Sequence, residues 1–318
     1  MPVKEILLLR HGHRLAWTLD PTTGRYTSNH PFPTRLPADP PLASHGVRQA
    51  EETGAYLSQV LADAAAQDRL RIYSSLFYRC LETLRPTVEQ LRKKITSKAD
   101  SYDKILRNLE VRGERGIGEW FGKAWFEQPV PAEPAVLRED FFPWLDIHYK
   151  SRVVPDRHGE RIEVIHDRIA RALAAVVRAV DKEYEEAGRA KEEVTLLLCG
   201  HAAQIICTGR ALTGLVPEDY DEEDFHCYTC GISRFVRRGK GTAETDRDWR
   251  TSGGVAGGWD CVENSACRHL SEGAERGWHF HGDESFDSYG AAMNMGIKTS
   301  DGGVKEKVED TNESASKL

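Results

Sequence analysis

The amino-acid sequence predicts an α/β fold, with a mostly parallel central sheet flanked by helices and loop insertions capping one end. Three observations carry that expectation. "EILLL" (5–9) and "VTLLLCG" (194–200) are unbroken apolar runs, the pattern of strands covered on both faces. Segments of helical period lie between them, so strand-like and helix-like stretches alternate along the chain. Both runs also end beside a glycine–histidine pair, His11 with Gly12 and Gly200 with His201.

Each element follows in order. The first apolar run is a strand ending at Arg10, and residues 18–41, dense in proline and turn formers, form a long surface loop after it. "HGVRQAEETGAYLSQVLADAAA" (45–66) is helical, "RIYSS" (71–75) is a short strand, and "YRCLETLRPTVEQLRKK" (78–94) is a second helix. Residues 121–158 carry Pro129, Pro131, Pro134, Pro143 and Pro155 among aromatics, which favours an inserted cap over a sheet element. From 159 to 186, Ile162, Ile165, Ile169, Leu173, Val176, Val180 and Tyr184 recur at three- and four-residue spacing, an amphipathic helix. "VTLLLCG" is the second buried strand, and "GISRFVRR" (231–238) reads as an edge strand. One domain over 1–238 is expected, followed by a glycine-rich extension packing on it at 239–295 and a disordered tail at 296–318. Within the extension, "LSEGAERGWHFHGDESF" suggests a hairpin laying Trp278 and Phe280 on the core.

Composition narrows the function classes. With 318 residues, 40% apolar and 29% charged, the chain reads as a globular protein. A net charge of -7 gives no global attraction to nucleic acid or to an anionic membrane, so neither is expected as a direct partner. There is no apolar run long enough for a membrane span and no cleavage site of a signal peptide, which points to the cytoplasm or nucleus. The seven cysteines are an odd, scattered set and are expected as reduced thiols. "CYTC" (227–230) has a CxxC spacing, but Cys261 and Cys267 do not form the second tight pair of a zinc site, so no metal or other cofactor is expected. The acidic run "PEDYDEED" (217–224) reads as a solvated loop, or as one that repels highly anionic substrates.

The chemistry is concentrated at the strand ends. In an open α/β sheet, ligands bind beyond the carboxyl ends of the strands, where "RHGHR" falls. Arg10 and Arg14 offer forked donors matched to phosphate, His11 between them is a candidate nucleophile, and Gly12 permits close approach of backbone to a ligand. The plainer alternative is a solvated basic turn. His201 repeats the placement at the end of the second buried strand, where a lone histidine is more often a satisfied core residue. Arg79 opens the helix after "RIYSS", where the helix dipole favours phosphate, although an exposed helix arginine is the commoner case. His13 has no assignable role.

Taken in this order and spacing, "LLLRHG", "PLASHGVRQA", "SSLFYRCLETL" and "LLLCGHAA" resemble the histidine phosphatase superfamily, with its phosphoglycerate-mutase-like fold, over roughly residues 3 to 236. The resemblance implies that His11 is phosphorylated in the reaction cycle and that Arg10, Arg79 and His201 hold the phosphoryl oxygens. Arg14 completes "RHGxR", the pattern of the acid-phosphatase-like and protein-phosphatase-like members rather than the mutases. The "EW" of "EVRGERGIGEWFG" matches the same relatives and makes Glu119 the proton donor, with Glu114 and Glu110 as runners-up, solvated or paired with Arg112 and Arg115. Trp120 and a nearby phosphate are expected to raise the pKa of Glu119.

"RHGHRLAW", "PPLASHGVRQA", "ERGIGEWF" and "FFPWLD" also look like the histidine phosphatase domain of the fungal TFIIIC subunits and their free-standing paralogues. That likeness implies a fungal source, phosphotyrosine-like substrates (a phosphorylated small molecule or phosphopeptide) and TFIIIC subunits as candidate partners. About 80 residues follow the domain, and they do not read as the further β-barrel module of those subunits. A free-standing phosphatase is therefore expected, with a transcription-complex scaffold and a phosphoglycerate mutase as the alternatives.

Overall fold

The computed structural model describes residues 1–95, 101–239, 248–282 and 285. A seven-stranded sheet is built from β1 (Val3–Arg10), β4 (Leu70–Ser74), β5 (Val111–Gly113), β6 (Leu145–Asp146), β7 (Val194–Gly200), β8 (Ile232–Arg237) and β9 (Trp259–Ala266), in the spatial order β6-β5-β4-β7-β1-β8-β9. The strands from β6 to β1 are parallel, and β8 runs antiparallel to both of its neighbours, β1 and β9. A small hairpin of β2 (Thr18–Asp20) and β3 (Arg25–Thr27) stands apart from the sheet.

The unbroken run of β1 has a simple cause. Alternate strand residues face opposite sides, and both sides are covered. Leu7 and Leu9 face a cluster formed with α1 (Ser44–Val60) and α3 (Tyr78–Lys94), whereas Ile6 and Leu8 face α6 (Ile162–Glu186) and α7 (Ala202–Thr213). The short helices α2 (Ala62–Ala66), α4 (Tyr102–Asn108) and α5 (Pro134–Asp140) complete the helical layers. The expected helices over 45–66, 78–94 and 159–186 thus correspond to α1 with α2, to α3 and to α6.

Four segments depart from expectation, and the first is 18–41, expected as a surface loop but holding the β2–β3 hairpin and the buried Phe32 and Asp39. Residues 121–158 contain a sheet element after all: β6 pairs in parallel with β5. Its brevity, two residues, left no period to detect. "GISRFVRR" is not the sheet edge, because β9 pairs with β8 from Ile232 to Arg237 and extends the sheet past residue 238. β9 buries only one face, with Trp259 at 0% exposure, so its sequence "WDCVENSA" looks polar; truncating that tryptophan would cost about 3–5 kcal/mol. Residues 267–282 form no hairpin; they run without regular structure, burying Phe280 and half-burying Trp278. The expected tail at 296–318 lies outside the described residues.

All seven cysteines are unbonded, and six of them, including Cys227 and Cys230 of "CYTC", are buried. Among the described residues, no helix is long and apolar enough to cross a membrane.

Candidate active site

Strand pairing brings the two histidines together. β1 and β7 are neighbours in register, Arg10 opposite Gly200, so the next residue of each strand, His11 and His201, leaves the sheet at the same point. The His11 backbone N–H donates to the Gly200 carbonyl at 3.0 Å, and the two rings meet edge to face with centroids 5.4 Å apart. His11 Nδ1 lies 2.8 Å from the Gly12 carbonyl. A carbonyl can only accept, so Nδ1 carries a proton, and in the neutral ring this tautomer leaves the lone pair on Nε2.

Gly12 serves packing. A Cβ there would lie 2.8 Å from the carbonyl of Gly46 in α1, and a Cβ on Gly46 would lie 2.0 Å from the His13 carbonyl. The two glycines let the loop after β1 press against the helix backbone. His13, for which the sequence suggested nothing, enters through its backbone, its N–H donating to Gln49 Oε1 at 3.0 Å.

Arg79, the second residue of α3, is fully buried. One of its nitrogens, NH2, contacts Glu119 Oε2 at 2.8 Å and His201 Nδ1 at 3.2 Å. His201 Nε2 reaches Ser75 Oγ at 2.8 Å. The buried Asp39 accepts from the Tyr78 N–H at 2.7 Å, capping α3 from a distant loop, and lies 3.9 Å from Arg79. One ligating atom each of His11, Glu119 and His201 all lie within 4.8 Å of one another. Such a trio could hold a cation, and the Arg79 guanidinium already supplies positive charge to two of its members, Glu119 and His201.

Arg10 is also fully buried, and its NH1 donates to the carbonyls of Cys227 and Arg276 at 2.5 and 2.6 Å. Arg14 lies with its guanidinium 3.6 Å from the centre of the Trp17 ring, and Arg79 is 5.4 Å from the same ring. Trp17 therefore lies against Arg14 and near Arg79, two of the predicted arginines. Nothing in "RHGHRLAW" marked it, because the tryptophan is ordinary until the chain folds back.

Glu119 sits on coil after the 3-10 turn Arg115–Ile117. Burial acts to raise its pKa, but the charges of His201, Arg79 and His11 outweigh it and hold the carboxyl well below its usual value. The part of the expected rise that rested on Trp120 is corrected: burial does not outweigh the neighbouring positive charge. For His201, burial lowers the pKa, but Cys80 and Glu119 raise it further, and the net shift is upward. Glu114 is neither solvated nor paired with Arg112 or Arg115; it is buried, accepting from Tyr149 Oη and from the N–H groups of Gly116, Arg152 and Val153. Glu110 pairs with Arg138. Both runners-up are thus structural.

The backbone of Glu119 is clamped by Arg168 of α6, which is fully buried. Its NH1 donates to the carbonyls of Gly116 and Gly118 at 2.9 and 3.2 Å, NH2 donates to that of Glu119 at 3.3 Å, and Nε donates to Glu160 at 2.6 Å. The helical pattern of 159–186 did not single out Arg168. Only the partners, about fifty residues back along the chain, give it a role.

Comparison with known proteins identifies the family. The sequence model described as the histidine phosphatase superfamily (branch 1) matches residues 6–247. The transcription factor tau 55 kDa subunit of Saccharomyces cerevisiae is 27% identical over 291 residues, which are 88% of this chain and 59% of that protein. The chain therefore spans well under two thirds of the length of this relative. Among solved structures, the ecdysone phosphate phosphatase of Bombix mori in complex with tungstate is 19% identical, with a TM-score of 0.47, over 78% of this chain and 99% of that one. The phosphoserine phosphatase of Entamoeba histolytica in complex with 3-phosphoglyceric acid is 17% identical, with a TM-score of 0.42, over 84% and 98%. With its family model spanning both histidine-bearing strand ends, the chain belongs to the histidine phosphatase superfamily, branch 1.

Proposed function

We propose that this protein is a phosphomonoesterase working through a phosphohistidine. The observation that carries this reading is the His11 ring, its Nδ1 proton held by the Gly12 carbonyl and its face edge-on to His201. His11 Nε2 attacks phosphorus as the bond to the leaving oxygen breaks, and Glu119 gives that oxygen a proton. Arg10, Arg14, Arg79 and His201 stabilise charge on the equatorial oxygens. Water then attacks the phosphohistidine, Glu119 takes its proton, and inorganic phosphate leaves with His11 restored.

The low pKa of Glu119 supports a role that changes with occupancy. A phosphoryl dianion among the same cations would cancel much of their field and raise the carboxyl towards protonation. Beside Glu119 lies a cavity of about 220 Å³, with Phe77, Phe121, Val130, Pro131, Val154 and Pro155 in its wall and Arg115 and Arg157 also on its lining. Such a wall supports an apolar or aromatic leaving group, as in a phosphotyrosine-like substrate.

The test is turnover of p-nitrophenyl phosphate by His11→Ala. Expected is loss of activity by roughly three orders of magnitude or more, with no acid-labile phosphoenzyme. Retention of most activity would sink the mechanism. Conversion of 3- to 2-phosphoglycerate would instead favour the mutase reading.

A second reading rests on the similarity to the tau 55 kDa subunit: this chain also takes part in a TFIIIC-type complex, acting in the nucleus. Recovery of TFIIIC subunits with the tagged chain from its native host supports that role. Their absence from such a pull-down counts against it.

A further inference from the structure

The segment 267–282 lies wholly beyond the residues matched by the family model, yet it crosses the site. Its Arg276 carbonyl is one of the two oxygens that accept from Arg10 NH1, at 2.6 Å. Arg276 holds a φ of +53°, a left-handed conformation that a non-glycine residue adopts only when its surroundings impose it. Those surroundings are specific. The carbonyl of Glu275 accepts from the Thr229 N–H at 3.1 Å, and its carboxylate meets His45 Nε2 at 2.6 Å and Gln49 Nε2 at 3.1 Å. Gln49 in turn accepts from the His13 N–H two residues past the nucleophile. Further along, Trp278 and Phe280 pack on Trp120, the neighbour of Glu119, with ring centroids 6.5 and 5.3 Å away.

We propose that residues 267–282 are a strap that positions Arg10 for phosphate, and that Glu275 is its anchoring residue. The proposal rests on the reading of Arg10 as a phosphate ligand. A buried guanidinium turns freely about its last bonds unless its nitrogens are fixed, and two carbonyls on one nitrogen fix its plane. The side chains of Glu275 and His45 are 30% and 21% exposed, so their pairing adds little to stability. Its effect falls instead on where the Arg276 carbonyl stands.

Calorimetric binding of inorganic phosphate to the full chain tests this, alongside p-nitrophenyl phosphate kinetics and thermal unfolding of each variant. Glu275→Ala is expected to weaken phosphate binding about tenfold and to raise KM similarly, with a smaller change in kcat and a Tm close to wild type. Glu275→Gln keeps an oxygen for Gln49 and His45 and should restore most of the affinity. Phosphate affinity and KM unchanged in Glu275→Ala would overturn the strap. Wild type that binds no phosphate would overturn the reading of Arg10 itself, a different result. Should Glu275→Ala unfold, His45→Phe removes one donor to the same carboxylate, and a folded His45→Phe with wild-type phosphate affinity would overturn the proposal equally.

Discussion

The His11 end and the Glu119 end of the site are held in place by different means. His11 and His201 leave two hydrogen-bonded strands at matched register positions, so their spacing is a property of the sheet. Glu119 stands on coil, and its place depends on side chains: Arg168 on its backbone, Arg79 and His201 on its carboxylate. A sheet constrains position through many backbone bonds at once, whereas a coil needs a dedicated clamp for each segment it must fix. The Glu119 end should therefore be the easier one to disturb without unfolding the chain.

The sharpest probe is Arg79, which touches both ends. Arg79→Ala should lower kcat/KM by roughly 10³-fold for every phosphomonoester, whatever its leaving group; a loss confined to poor leaving groups would place Arg79 at the Glu119 end alone. Glu119→Gln should separate the two ends. An alkyl phosphate should lose roughly 10²-fold or more in kcat and p-nitrophenyl phosphate far less, because a nitrophenolate leaves without a proton. Equal losses on both substrates would show that Glu119 acts on phosphate rather than on the leaving oxygen.

Arg168→Met should follow the same leaving-group pattern at about tenfold. It should also lower stability by about 3–5 kcal/mol in chemical denaturation, since Glu160 is left buried without its partner. A stability loss with no leaving-group dependence would reduce Arg168 to a structural ion pair. Trp17→Leu removes the ring under Arg14 and beside Arg79. KM should rise roughly twofold to thirtyfold, the range of a cation–π contact at a partly desolvated site, with kcat changing less.

The smallest effect is on stability. Burial pushes the Asp39 carboxyl up to about 6, against the lowering influence of Arg79. Because the folded state holds this proton more tightly than the unfolded chain does, the contribution of Asp39 is fullest below about pH 4 and is lost as pH rises through 6. The stability difference between wild type and Asp39→Asn should therefore fall by roughly 1–3 kcal/mol from pH 4 to pH 7 in urea titrations. A difference that grows with pH would mean that Arg79 dominates and that the carboxyl is charged throughout.

The legibility of the site divides along the same line. His11, His201, Arg79 and Arg10 stand next to elements whose periodicity is local, so their placement could be read from "LLLRHG", "LLLCGH" and "SSLFYRC". Arg168, Trp17, Asp39 and Glu275 could not be read in this way. Arg168 acts on carbonyls 49 to 52 residues away, and Arg10 is tied to a carbonyl 266 residues away. A side chain bound for a distant carbonyl carries no local signature, and Glu114, buried on three backbone N–H groups, looked as solvated as any glutamate.

By itself, the sequence determined the strands covered on both faces, the long amphipathic helix and the placement of a histidine at the end of each of two buried strands. These follow from hydrophobic periodicity, which depends only on near neighbours in the chain. Tertiary structure alone decided that β6 and β9 widen the sheet, that Gly12 packs on the backbone of a helix, and that Glu119 is held among positive charges at a lowered pKa. Those outcomes depend on which distant groups come within a few ångströms, and on charge in a medium of low polarity, where the field of a neighbour outweighs the character of the residue.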